Sequence, residues 1–294
     1  CVCGCCCCCG CCGGSGATAA SSAAAAAAAS FAACDEQPPA RTQKWQDRWD
    51  KKMTTWHLQG VNPHLQAHLK ELLPEGKASG GMGARILVPL CGKTVDMAFL
   101  ARSGYRVLGI DCVKNAVDEF AAEHSATGEA VPVHLPKEVD VERFKAHAMM
   151  PKPAEGEEVT IMPQPVIILE GDFLAVGAQE AKALVPFDAA FDRGGLVAVE
   201  PADRPHYIRS LAELVAPGGR VVFVAVEHDA FKDGRLGPPY EVTEQQLRSL
   251  CAGTFDVRPL SREDRLEKDA AMRARGVTRF HECVYLLVRH GAAA

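Results

Sequence analysis

Arg85-Ile86-Leu87-Val88-Pro89-Leu90-Cys91-Gly92-Lys93-Thr94, closed by Tyr105-Arg106-Val107-Leu108-Gly109-Ile110-Asp111, decides how this chain folds. The run 85–90 is a short apolar strand that stops in a turn. Thr94 to Arg102 then has helical spacing through Val95, Phe99 and Leu100, and Gly104 is placed as a C-terminal stop. Residues 105–110 form a second buried strand. Strand, turn, helix and strand in this order make one unit of a parallel sheet. Outward from it, the pattern predicts a helix over 114–124, strands at 166–169 and 189–191, and a helix over 204–214 closed by Pro217-Gly218-Gly219. A strand at 220–226 and a helix over 243–251 follow, the helix opened by a Thr243/Gln246 capping box. Alternating strands and helices imply an α/β fold with helices on both faces of the sheet. Two final strands, 255–260 and 281–289, flank a charged stretch and imply an antiparallel edge.

An open parallel sheet binds its ligand beyond the carboxyl ends of its strands. The turn there, Leu90-Cys91-Gly92-Lys93, holds one glycine, whereas a pyrophosphate-binding turn requires several so that backbone N–H groups can approach the phosphates. The second strand ends in Asp111, placed either to accept ribose hydroxyls or to cap the following turn. A poor phosphate turn together with a carboxylate favours a nucleoside cofactor such as S-adenosylmethionine over a dinucleotide.

Composition sets the remaining bounds. The chain has 294 residues, 48% of them apolar, with a net charge of −5, which argues against a broad electrostatic grip on nucleic acid or an anionic membrane. No apolar run is long enough to span a bilayer, and a cytoplasmic location is the expectation, with organellar targeting by the N-terminal segment left open. Nine of the fourteen cysteines lie between Cys1 and Cys12; the other five are scattered, as in a reducing compartment. Residues 1–40 join that cysteine cluster to an unbroken alanine run, Ala23 to Ala29, and lack a periodic apolar face, so disorder is expected there, with a metal-binding tail as the alternative. His64 and His68 have helical spacing but no evident third ligand, so no metal is expected. Cys91 has no paired histidine and is expected as a buried thiol.

Pro89-Leu90-Cys91-Gly92-Lys93 with Asp96-Met97 resembles the cofactor motif of the thiopurine S-methyltransferase family. Trp45-Gln46-Asp47-Arg48-Trp49, Trp56-His57 and Asn62-Pro63 resemble its N-terminal lid. Phe191-Asp192-Arg193-Gly194-Gly195-Leu196-Val197-Ala198 and Gly237-Pro238-Pro239-Tyr240 resemble two later segments, in the same order. The resemblance covers about residues 41–290. It implies a Rossmann-like class I methyltransferase fold, with a mostly parallel seven-stranded sheet, occupying 41–294 and carrying a lid at about 41–70.

By the same resemblance, S-adenosylmethionine is the cofactor, touched by Trp45, Trp49, Trp56, Leu90, Gly92, Asp111, Arg193 and the Gly171-Asp172-Phe173 segment. Arg193 and Asp192 are the expected catalytic pair. Trp56, Pro238, Pro239 and one C-terminal arginine, Arg273 among Arg265, Arg273 and Arg275, are expected to face the acceptor. Taken alone, the three tryptophans fit equally an amphipathic helix packed on the core, and Asp203-Arg204 a helix start. The implied reaction is methyl transfer to a small thiol, selenol or tellurium acceptor by a monomer. Halide methylation, a dinucleotide-dependent oxidoreductase and a binding module without turnover are the alternatives.

Overall fold

The computed structural model describes residues 40–73, 83–140, 142–154, 156, 161–184 and 186–291. All of them fall within the unit Ala40–Ala294; the expectations for residues 1–39 lie outside the described residues. The deciding stretch folds as read. Strand β1 (Arg85–Pro89) runs into a turn in which Leu90 and Gly92 both take positive φ, 46° and 51°. Thr94 caps helix α4 (Val95–Arg102) by accepting from the Asp96 amide, and strand β2 (Arg106–Asp111) returns parallel to β1, Arg85 opposite Arg106 and Pro89 opposite Ile110. Before them lie α1 (Ala40–Asp50), α2 (Pro63–Ala67) and α3 (Leu69–Leu72).

After β2 come α5 (Lys114–His124), β3 (Val131–Val133), β4 (Lys145–Met149), β5 (Val166–Glu170), α6 (Ala178–Leu184), β6 (Phe187–Arg193), α7 (Arg204–Leu214) and β7 (Val215–His228). The chain then forms α8 (Glu244–Cys251), β8 (Phe255–Asp264), α9 (Ala270–Ala274) and β9 (Phe280–Arg289). The capping box at Thr243 and Gln246 is formed in both directions.

One sheet results, in the order β3-β4-β5-β2-β1-β6-β7-β9-β8. Its last seven strands are the expected seven-stranded sheet, parallel from β5 to β7, with β9 antiparallel to both neighbours. The addition is β3–β4, an antiparallel pair laid on the β5 edge. Its residues gave little signal: all three of β3 are exposed, so no burial pattern marks them. Pro217-Gly218-Gly219 does not close α7. That helix ends at Leu214, and residues 216–219 form an irregularity inside β7, which pairs Phe187 with Val215 and Ala189 with Arg220.

Side chains alternate between two apolar layers. Along β7, Val221, Phe223 and Ala225 enter one layer and Val222 and Val224 the other. Both faces are covered by helices, which is why these strands read as unbroken apolar runs. The sheet order turns outward in both directions from between β1 and β6, so the carboxyl ends of β1, β2, β5 and β6 converge at the switch point. Among the described residues no helix is long and apolar enough to cross a membrane.

Candidate active site

At that switch point Trp45, Leu90, Asp111, Cys112, Asp172 and Phe173 line one cavity, with Arg41 and Val199 at its wall. Five segments supply them: helix α1 and the loops after β1, β2, β5 and β6, parallel strands that end on the same side of the sheet. Asp111 meets its capping reading. Its Oδ2 accepts from the Gly92 amide at 2.7 Å and its Oδ1 from the Val113 amide at 3.0 Å, which fixes the turn. Each oxygen retains a further acceptor lone pair, and the residue borders the cavity. Burial pushes its carboxyl up to about 6, against the opposing pull of those amides.

The close approaches explain the glycines. A Cβ on Gly92 would lie 2.7 Å from the His57 imidazole, and one on Gly171 2.3 Å from the Phe144 ring. Gly171 itself donates its amide to the Asp111 carbonyl at 2.8 Å, joining the ends of β2 and β5. Asp172 caps the short turn Phe173–Ala175 through the Leu174 amide and receives Arg41 from α1 in two contacts, 2.7 Å and 2.6 Å.

The three tryptophans divide between the two readings the sequence left open. Trp49 is 3% exposed and packs on Val113 and Ala116, so it anchors α1 to the core. Trp45 lines the cavity. Trp56 stands edge-on to both, at 5.7 Å from Trp45 and 6.5 Å from Trp49. The segment is tied down elsewhere by the Asn62 amide to Asp96 Oδ1, by Lys52 to Glu119, and by Arg193 Nη1 donating to the Trp56 carbonyl at 2.5 Å.

His57 is a site neighbour that sequence reasoning missed. Its Nδ1 is 3.1 Å from the Thr54 carbonyl, and its Nε2 accepts from the Lys93 amide at 3.4 Å. Burial lowers its pKa, so the neutral ring donates from Nδ1 and accepts at Nε2. The Trp56-His57 pair was visible, but nothing in the spacing named the cofactor turn as its partner.

Two expected placements are corrected. Asp192 does not line the cavity: it is 1% exposed, and it accepts from the Gly195 and Leu196 amides and the Tyr207 hydroxyl. It shapes the turn that presents Arg193. Arg273 does not face the Pro238-Pro239 loop; its guanidinium donates to the Leu266 and Glu267 carbonyls of its own surface segment. Arg275 takes the loop position, 3.4 Å over the Phe231 ring and donating to the Pro238 carbonyl at 2.9 Å. The loop is joined to the turn after β6 through the Tyr240 amide, which donates to the Val197 carbonyl. Cys91 is fully buried, its thiol pushed well up by desolvation, so it supplies no thiolate. Among the described residues no cluster of three His, Cys, Asp or Glu side chains could hold a metal ion.

Rings for a base, a carboxylate for a ribose and a turn too poor in glycine for phosphates together fit S-adenosylmethionine. Solved structures agree on the fold. One described as the conversion of a disulfide bond into a thioacetal group during echinomycin biosynthesis aligns at a TM-score of 0.53 and 15% identity, over 86% of this chain and 94% of that one. The Burkholderia thailandensis 1,6-didemethyltoxoflavin-N1-methyltransferase aligns at 0.50 and 18%, over 85% and 87%.

Sequence relatives are nearer. A thiopurine S-methyltransferase of Pseudomonas aeruginosa (strain UCBPP-PA14) is 31% identical over 246 residues, 83% of this chain and 97% of the relative. One of Pseudomonas fluorescens (strain SBW25) is 32% identical over 244 residues, again 83% and 97%. The family model for thiopurine S-methyltransferase matches residues 40–290. The chain therefore belongs to the thiopurine S-methyltransferase family of S-adenosylmethionine-dependent methyltransferases.

Proposed function

We propose that residues 41–294 act as a monomeric S-methyltransferase for a small thiol, selenol or tellurium acceptor, with residues 41–70 serving as the lid. The observation that carries the site assignment is the cavity at the carboxyl ends of β1, β2 and β5, where Asp111 and Phe173 meet Trp45 of the lid. When bound, S-adenosylmethionine supplies a methyl group already activated on a sulfonium. Asp111 accepts from the ribose, Leu90 and Phe173 flank the base, and the Gly92 turn lets the cofactor approach the backbone. Trp45 and Trp56 wall the reacting end and exclude water. Arg193, held at the end of β6 by the Asp192 turn, favours the thiolate form of the acceptor, which is its reacting form. The protein's contribution is position and electrostatics, since in-line transfer to a thiolate leaves no proton to remove at the moment of reaction.

Calorimetry with S-adenosylhomocysteine tests the assignment. One-to-one binding is expected, and Asp111→Ala should lose about 1.5–3 kcal/mol, the worth of hydrogen bonds to a charged group, or roughly 10- to 150-fold in Kd. Asp111→Asn keeps the size without the charge and should lose a smaller part. Ribose donors favour the ionised carboxylate, so wild-type affinity should fall as pH drops below about 6, where Asp111 takes up its proton. Wild-type affinity in a folded Asp111→Ala variant would remove Asp111 from the site. No binding by folded wild-type protein would overturn the assignment as a whole.

A further inference from the structure

Guanidinium groups without a carboxylate partner gather around the wall between the tryptophans and the Pro238-Pro239 loop. Arg48, on α1, lies 5.3 Å over the Trp45 ring and 5.9 Å from Trp56. Arg204, at the start of α7, lies 5.9 Å from the Tyr240 ring. It is 4% exposed; its Nε donates to the Val199 carbonyl at 3.3 Å, and its Nη2 is buried with no hydrogen-bond partner. Arg275 holds the same loop from its other side through Phe231 and Pro238. Among the described residues none of these three makes an ion pair.

The nearby acids are engaged elsewhere: Asp233 pairs with Arg235, Glu241 with Arg279 and Glu200 with Lys44. Burial lowers the pKa of Arg48 and of Arg275. The charge of Arg235 lowers both further, and Arg48 in turn lowers Arg275 against the opposing pull of Asp233 and Asp269, so these cations lie within electrostatic reach of one another. A buried cation without a counter-charge is costly. Arg48 stands over the tryptophans, Arg204 over Tyr240 and Arg275 over Phe231, and the Tyr240 hydroxyl acts on both Arg48 and Arg204. Cations set over rings in this way suit an anion, with the rings taking the apolar body of the ligand. Arg193, assigned above to the acceptor thiolate, donates to the Trp56 carbonyl.

We infer that the methyl acceptor carries a negative group in addition to its thiolate, of the carboxylate type, and that Arg48 and Arg204 hold it from the lid and from α7. Both are specificity residues that select acidic thiols over neutral ones, and the inference rests on the S-methyltransferase reading above. Val199 links the two regions, since it borders the cofactor cavity and accepts from Arg204.

The test uses the protein loaded with S-adenosylhomocysteine and two ring-matched probes, 4-mercaptobenzoate and thiophenol, titrated by calorimetry. The wild type should bind the carboxylate probe about tenfold or more tightly than the neutral one, as a charge-assisted hydrogen bond provides. Arg48→Met and Arg204→Met should each bring that ratio toward one, and Arg204→Lys should keep part of it. The ratio within one variant cancels general damage to the site, and Arg48→Met decides the matter if Arg204→Met does not fold. No preference in the wild type, or an unchanged ratio in the folded variants, overturns the inference while leaving the methyltransferase reading intact. Failure of S-adenosylhomocysteine to bind removes both.

Discussion

Asp192→Ala should lower the stability of the domain by about 2–4 kcal/mol and reduce methyl transfer with it. The carboxylate is the shared acceptor for the Tyr207 hydroxyl at 2.8 Å and the Gly195 and Leu196 amides at 3.1 Å and 3.3 Å. Alanine leaves all three donors inside the protein without a partner, at about 1–3 kcal/mol each. Relief of the buried charge offsets part of that sum. The neighbourhood cannot collapse to compensate, because a Cβ on Gly195 would already sit 2.4 Å from the Tyr207 oxygen. Asp192→Asn keeps two acceptor contacts and turns an N–H toward Tyr207, so it should remain folded. Denaturant unfolding of both variants checks the pair of expectations. Equal losses for Ala and Asn would show that the charge, not the hydrogen-bonding geometry, holds this turn.

The same residue gives stability a pH dependence of definite sign. Burial raises the carboxyls of both Asp192 and Asp111 to about 6. Between the ordinary carboxylate value and about 6 the folded state therefore holds more protons than the unfolded one. The stability these groups contribute is complete below about pH 4 and is lost as pH rises through 6. Asp192→Asn should accordingly gain on the wild type at pH 7 relative to pH 4.5.

Much of this was legible in the chain. Leu87 and Ile110 gave strands because both sheet faces are covered, and Thr243 with Gln246 gave a helix start because the reciprocal cap is a local pattern. Local chemistry also placed Asp111, whose strand ends where every parallel strand of such a sheet presents its ligand-binding end. What sequence could not decide was orientation. Asp192 and Arg193 are adjacent on β6, so their side chains leave opposite faces of the strand, and only the fold shows that the aspartate turns inward to Tyr207. Arg273 and Arg275 differ by two positions near the end of a helical turn, and the choice between them depends on where Phe231, more than forty residues away, comes to rest. His57 was invisible as a site neighbour for the same reason.

Trp49→Ala should open the proposed lid, α1 and the segment after it, without unfolding the sheet. The exposed ties of this segment, Lys44 to Glu200 and Lys52 to Glu119, are surface ion pairs worth about 0–1 kcal/mol each. Trp49 is its buried anchor, set against Val113 and Ala116 and 5.1 Å from the His57 ring. Removing a buried tryptophan costs about 3–5 kcal/mol, more than those ties can return. A segment held by one buried aromatic anchor and a few polar contacts, Arg41 to Asp172, Asn62 to Asp96 and Arg193 to the Trp56 carbonyl, opens locally at a lower free energy than the whole domain. The penalty should therefore appear as lid opening, with amides of α1 exchanging faster while β1, β2 and β6 stay protected and the thermal midpoint moves little. Apparent affinity for S-adenosylhomocysteine scales with the closed fraction, so it should weaken at least tenfold. Trp45→Ala, at the cavity wall, should weaken binding with lid exchange unchanged, which separates a contact from a hinge. A large fall in thermal midpoint for Trp49→Ala, with exchange in α1 unaltered, would place Trp49 in the common core and leave the lid to be held by Trp56, His57 and the Asn62–Asp96 contact.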